Sequence, residues 1–186
     1  MKWRGIASIM IGGLTISLML GALVIWSSEQ WLSGARTKQF LSVPPTAISS
    51  SYDLAPEFTV PGLEVKAVTL SEHRGHKLLL NFFASWCIAC REEMPGVQRQ
   101  FEKHRIHGWV VIGMDIMEPA ATVRAFRDEF GLTFPIGLDL TGKVSQQYRV
   151  KGTPTNIVID KQGQIVEQRL GYMSEAELEK LFASLP

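Results

Sequence analysis

Cysteine is almost absent from this chain: there are two in 186 residues, Cys87 and Cys90. Any disulfide chemistry within it is confined to that one pair. Charge of one sign is not in excess either, with 19 Lys and Arg against 18 Asp and Glu. Such a balance offers nothing to attract nucleic acid or a broad anionic surface. No internal repeat is present, and 46% hydrophobic residues with 16 glycines exclude a disordered or collagen-like chain. Charge is missing altogether from residues 5–26, GIASIMIGGLTISLMLGALVIW.

As a helix, that uncharged run would be about 33 Å long, enough to cross a bilayer core. Lys2 and Arg4 precede it, so the positive-inside tendency keeps residues 1–4 cytoplasmic and everything after residue 26 outside. Trp26 and Trp31 suit an interfacial aromatic belt. Ser33-Gly34-Ala35 would suit cleavage of a signal peptide. The apolar run, however, exceeds the roughly 7–15 residues usual for such a peptide. A retained anchor is therefore the expectation, and the lack of a nearby cysteine excludes a lipoprotein. Residues 27–52, with Pro44-Pro45 and Ser49-Ser50-Ser51, read as a flexible linker, and residues 53–186 as the folded domain. The expected location is the cell membrane, single-pass, with that domain extracytoplasmic.

Within the domain, short strands are expected at residues 57–60 and 65–69, joined by a turn at Pro61-Gly62. Residues 77–84 contain LLLNFFA, too continuous for a half-exposed strand, and read as a buried one. A helix is expected over 87–104, a second buried strand over 109–115 and a helix over 118–130 ended by Gly131. A short helix over 143–148 and a hairpin of 156–160 with 165–170 follow. Ser174 and Glu177 form a capping-box signature for a last helix. The order β-β-β-α-β-α-α-β-β-α implies a mixed sheet covered on both faces.

Cys87 and Cys90 are spaced i, i+3 at a helix start, where the backbone N–H groups and helix dipole favour a thiolate. Cys87 is expected to be the more exposed, attacking thiol, and Cys90 the resolving one. As a structural staple the pair would be poorly placed. Closing four residues stabilises by only about 2 kcal/mol, against about 4.7 kcal/mol for a loop of about 100. A zinc site with His104 and His107 is disfavoured, because the helix carries His104 roughly 20 Å from the cysteines. Transient Cu(I) binding by the reduced thiolates is a further reading. No resident metal or cofactor is expected. His73 and His76 read as surface residues, and Met94, Met114, Met117 and Met173 as core or near-site packing.

Five stretches share a wider pattern. They are Val68-Thr69-Leu70-Ser71 with Arg74-Gly75, LLLNFFASWCIACREEMP at 78–95, Gly131-Leu132-Thr133-Phe134-Pro135, Gly152-Thr153-Pro154-Thr155 and the turn at 160–163. Together they resemble the thioredoxin superfamily, close to the TlpA/ResA type of extracytoplasmic thiol–disulfide oxidoreductase. The resemblance implies an α/β thioredoxin fold with an N-terminal β-hairpin extension and an inserted helix, behind one transmembrane helix. It implies a cis Pro154 in a substrate-binding loop with Thr153, and a kink at Pro95. It also matches Glu93 to an acidic residue that shuttles protons and raises thiol pKa values; a solvated surface glutamate is the plain alternative. Asn81 stands where ordinary thioredoxins carry a buried aspartate. Trp86 is expected to pack over the dithiol or to be a core aromatic. The implied partners are disulfide-bearing clients, apocytochrome c or a copper-delivery protein, and a membrane thiol–disulfide electron donor. The implied reaction is reduction of client disulfides.

Overall fold

The computed structural model describes residues 53–185. The expected anchor at 5–26 and linker at 27–52 lie outside the described residues. Among those described, no helix is long and apolar enough to cross a membrane.

A five-stranded sheet forms the centre, in the order β5-β4-β3-β6-β7. Its strands are β3 (Lys77–Phe83), β4 (Trp109–Ile116), β5 (Ile136–Asp139), β6 (Thr155–Ile159) and β7 (Ile165–Leu170). β3 runs parallel to β4, and β4 to β5, whereas β6 is antiparallel to both β3 and β7. A separate antiparallel hairpin pairs β1 (Thr59–Pro61) with β2 (Ala67–Thr69). The helices are α1 (Ile88–His104), α2 (Ala120–Phe130), α3 (Lys143–Gln147) and α4 (Glu175–Ala183).

β3 is buried along its whole length, as its unbroken apolar run requires of a central strand. Its alternate residues face opposite layers. Leu79 and Phe83 join Met94 and Val97 of α1, Val123 and Phe126 of α2, and Leu178 and Phe182 of α4. Leu78, Leu80 and Phe82 join Val60 and Val68 of the hairpin, with Val144 and Tyr148. Asn81 has the parity of Leu79, so it is a polar group on the helix-covered face. Ser174 and Glu177 do form the capping box of α4. Gly131 ends α2 in the left-handed region at φ 59°.

Three local expectations are corrected. The hairpin does not turn at Pro61-Gly62: Pro61 is still paired with Ala67, and Gly62 bridges to Gly137. α2 starts at Ala120, because Glu118 precedes a proline, which disfavours the α region, and Pro119 itself is extended at ψ 141°. The third concerns β5, absent from the expected order. Four residues, IGLD, with a central glycine show no alternation, and only pairing with β4 makes them a strand.

Gly137 is required by close approach of the hairpin. A Cβ there would lie 2.8 Å from Val60 Cγ2 and 3.2 Å from Met114 Cε. Gly137→Ala is expected to destabilise the domain by about 1–3 kcal/mol through overpacking. Urea unfolding measures it, and a variant as stable as the parent would show that the hairpin yields freely.

Candidate active site

β3 ends at Phe83, and Ala84-Ser85-Trp86 carries the chain off the sheet to Cys87, the N-cap of α1. The Cys87 N–H turns back to the Ala84 carbonyl at 3.1 Å. One helical turn places Cys90 within reach, and the two are joined as a disulfide with Cα atoms 5.2 Å apart. Cys87 Sγ accepts the Cys90 N–H at 3.1 Å, so a helix-start donor already faces this sulfur. Cys87 is 6% exposed and Cys90 0%, in the order expected of attacking and resolving thiols. The Thr153–Pro154 peptide is cis. The Thr153 carbonyl oxygen stands 3.5 Å from Cys87 Sγ.

Glu93 is not a surface glutamate; it is 2% exposed. Its Oε1 accepts Asn81 Nδ2 at 3.0 Å and Asn156 Nδ2 at 2.8 Å, and its Oε2 accepts the Met173 N–H at 2.7 Å. Burial pushes the carboxyl above its ordinary value, while the three donors pull against that shift. Asn81 also donates to Asn156 Oδ1 at 2.7 Å, whereas its own Oδ1 is buried without a partner. Among the described residues no hydrogen bond joins Glu93 to either sulfur. Any influence on the thiols is through space, along the same helix.

Trp86 is 73% exposed, so it is not a core aromatic; it stands on the surface next to Cys87, where the loop leaves the sheet end. His104, the distant partner of the disfavoured zinc site, lies near Phe182 with ring centres 5.4 Å apart. Among the described residues there is no group of three or more His, Cys, Asp or Glu able to hold a metal.

A family model for the AhpC/TSA family matches residues 52–168. The thiol-disulfide oxidoreductase ResA of Bacillus thuringiensis is 36% identical over 125 residues, covering 67% of this chain and 72% of that one. The chain belongs to the AhpC/TSA family. It is a thioredoxin-like thiol–disulfide oxidoreductase of the TlpA/ResA type. The ResA of Geobacillus kaustophilus is 32% identical over 149 residues, covering 80% of this chain and 84% of its own length. Among solved structures, a Chlorobium tepidum protein described as a thiol:disulfide interchange protein DsbE superposes with a TM-score of 0.67. That match has 29% identity and covers 71% of this chain and 94% of that one.

The surroundings of the oxidoreductase's disulfide hold two features that sequence reading missed. The first is an apolar rim. Exposed Trp86, Met117, Leu140 and Leu170 with Tyr172 follow or close β3, β4, β5 and β7, and exposed Ile88 starts α1. Parallel pairing of Phe83 with Asp115 and of Ile116 with Asp139, and antiparallel pairing of Phe82 with Thr155 and of Thr155 with Leu170, bring these strand ends to the disulfide's end of the sheet. Met117 is exposed rather than in the core, with its side chain lying beside Gly142, and its φ of 59° marks the chain leaving β4.

The second is a buried acidic pair beside the disulfide loop. Glu118 accepts both the backbone N–H and the hydroxyl of Ser85, each at 2.6 Å. Asp115, at the end of β4, accepts the Glu118 N–H at 3.1 Å. Burial, with Glu118 beside it, pushes the Asp115 carboxyl up to about 8. The available signal was an acidic residue closing an otherwise apolar strand, WVVIGMD.

Proposed function

We propose that this oxidoreductase works outside the cytoplasm, anchored by residues 5–26, and reduces client disulfides using Cys87 and Cys90. Its leading clients are the haem-attachment cysteines of apocytochrome c, and a membrane thiol–disulfide donor recharges it. Cys87 attacks, Cys90 resolves, and Trp86, Thr153 and Pro154 receive the client chain. Glu93 holds negative charge near the pair and serves as a proton acceptor.

The observation that supports this best is the closed Cys87–Cys90 pair, with its less buried sulfur beside the Thr153 carbonyl and inside an apolar rim. Such a rim suits a protein client better than a small polar one. Between the cysteines, Ile88-Ala89 offers no charge or side-chain donor to hold the thiolate that a strong oxidant needs. The resemblance of its motifs to the TlpA/ResA type implies the same direction.

Measurement of the reduction potential tests it. A value near or below that of thioredoxin, about −270 mV, is expected, and one near −120 mV overturns a reductant. Cells lacking the protein should fail to attach haem to c-type cytochromes, with attachment restored by an added thiol reductant. Normal attachment in such cells would refute the client assignment alone.

A further inference from the structure

Ser85 sits two residues before Cys87, and all three of its hydrogen-bonding groups are held from other elements. Its N–H and hydroxyl donate to the Glu118 carboxylate, and its carbonyl accepts from Arg91 Nη1 at 3.4 Å. Arg91 is itself fixed. Its guanidinium lies 5.1 Å over the Phe130 ring and 5.7 Å over Phe126, and it pairs with Glu129. Bonds to a carboxylate are roughly twice as strong as neutral ones, so Glu118 is the firm side of this grip. Beneath it, the Asp115 carboxyl is buried against Glu118, where a proton it keeps is shared in a side-chain hydrogen bond with Glu118.

We propose that Glu118 is a positioning residue for the dithiol. By gripping Ser85 it fixes segment 85–87, and with it the direction from which Cys87 Sγ meets a client disulfide. Arg91 steadies the same segment from α1. The proposal deepens the exchange reading and rests on Cys87 being the attacking thiol.

The groups facing Asp115 are Glu118 from the loop before α2 and Asp139 from the end of β5. Arg91 of α1 reaches only the far side of Ser85. While Asp115 keeps its proton, Glu118 stands beside a neutral group and its carboxylate stays on Ser85. Once Asp115 ionises, two adjacent buried carboxylates repel each other and the grip loosens. Thiolate formation raises the exchange rate with pH, so loosening of the grip bends that rise downward near pH 8.

The test uses the reduced full-length protein, with insulin as protein disulfide and iodoacetamide as a small probe of the Cys87 thiolate. Glu118→Gln presents one oxygen where two served, and should slow insulin reduction about tenfold, a modest misplacement cost. Ser85→Ala keeps the N–H bond and should fall between it and the parent. Alkylation by iodoacetamide, which needs no fixed approach, should change less than about twofold in both. Asp115→Asn should remove the downward bend in the pH profile. Insulin rates equal to the parent's, or equal losses towards both probes, overturn the positioning role even if thermal stability falls. A parent that reduces no insulin instead refutes the exchange reading beneath it.

Discussion

Cys90→Ser is expected to arrest exchange at the mixed disulfide and to accumulate covalent client adducts, whereas Cys87→Ser forms none. In the parent, the Cys87 thiolate attacks one client sulfur and the client's other sulfur leaves as a thiolate. Cys90 then attacks Cys87 Sγ and releases the first sulfur, leaving the client as a dithiol and the protein as the disulfide. The two steps assign different exposures to the two thiols, and the structure has them: 6% at Cys87, 0% at Cys90. Cys90, buried in the first turn of α1, meets only a sulfur already bonded to its neighbour. Turnover should fall by at least about 10³-fold in either variant, as when a covalent nucleophile is removed from other enzymes. Non-reducing electrophoresis and mass spectrometry of material trapped in cells distinguish the two. Adducts on Cys87→Ser would reverse the assignment of attacker and resolver.

What could be read before the structure was local. β3 announced itself by an unbroken apolar run, α4 by its Ser174–Glu177 box, and the dithiol by its spacing. The cis Thr153–Pro154 peptide followed from resemblance, since an X–Pro pair by itself leaves the isomer open. What escaped depends on partners far apart in sequence. Glu93 is buried because Asn156 and Met173, 63 and 80 residues on, turn their donors towards it. Ser85 meets Glu118 33 residues away, and β5 exists only as a partner of β4. The rim around the disulfide is a property of register: each apolar residue in it looks unremarkable beside its own neighbours. Helical periodicity placed Glu93 on the face of Cys90 but could not tell a solvated carboxylate from one enclosed by three donors.

That enclosure makes Glu93 the most consequential residue after the cysteines. Glu93→Ala should destabilise the domain by about 3–5 kcal/mol, since it opens a cavity and strands buried donors. Glu93→Gln keeps the shape but turns an amide NH₂ towards other donors, and should cost about 1–3 kcal/mol at neutral pH. The sign of the pH dependence follows from the raised native carboxyl. The folded state binds the proton more tightly than the unfolded chain, whose value is 4.5, so the group's contribution is fully present below that value. It is lost as pH rises through the higher native value. Asp115 acts in the same direction, from 3.8 up to about 8. Urea unfolding across this range should show the contribution of these two carboxyls falling with pH, against a rise from His73 and His104, which burial holds below 6.5. Glu93→Gln should flatten the acidic part of that fall and Asp115→Asn the part approaching pH 8. The same Gln substitution removes a negative charge one helical turn from Cys90, so it should lower the thiol pKa read by iodoacetamide alkylation. A pH profile of alkylation that stays where it was would remove Glu93 from the chemistry and leave it a purely structural acceptor. A profile shifted down, with exchange slowed despite the extra thiolate, is the signature of a carboxylate that also takes the proton.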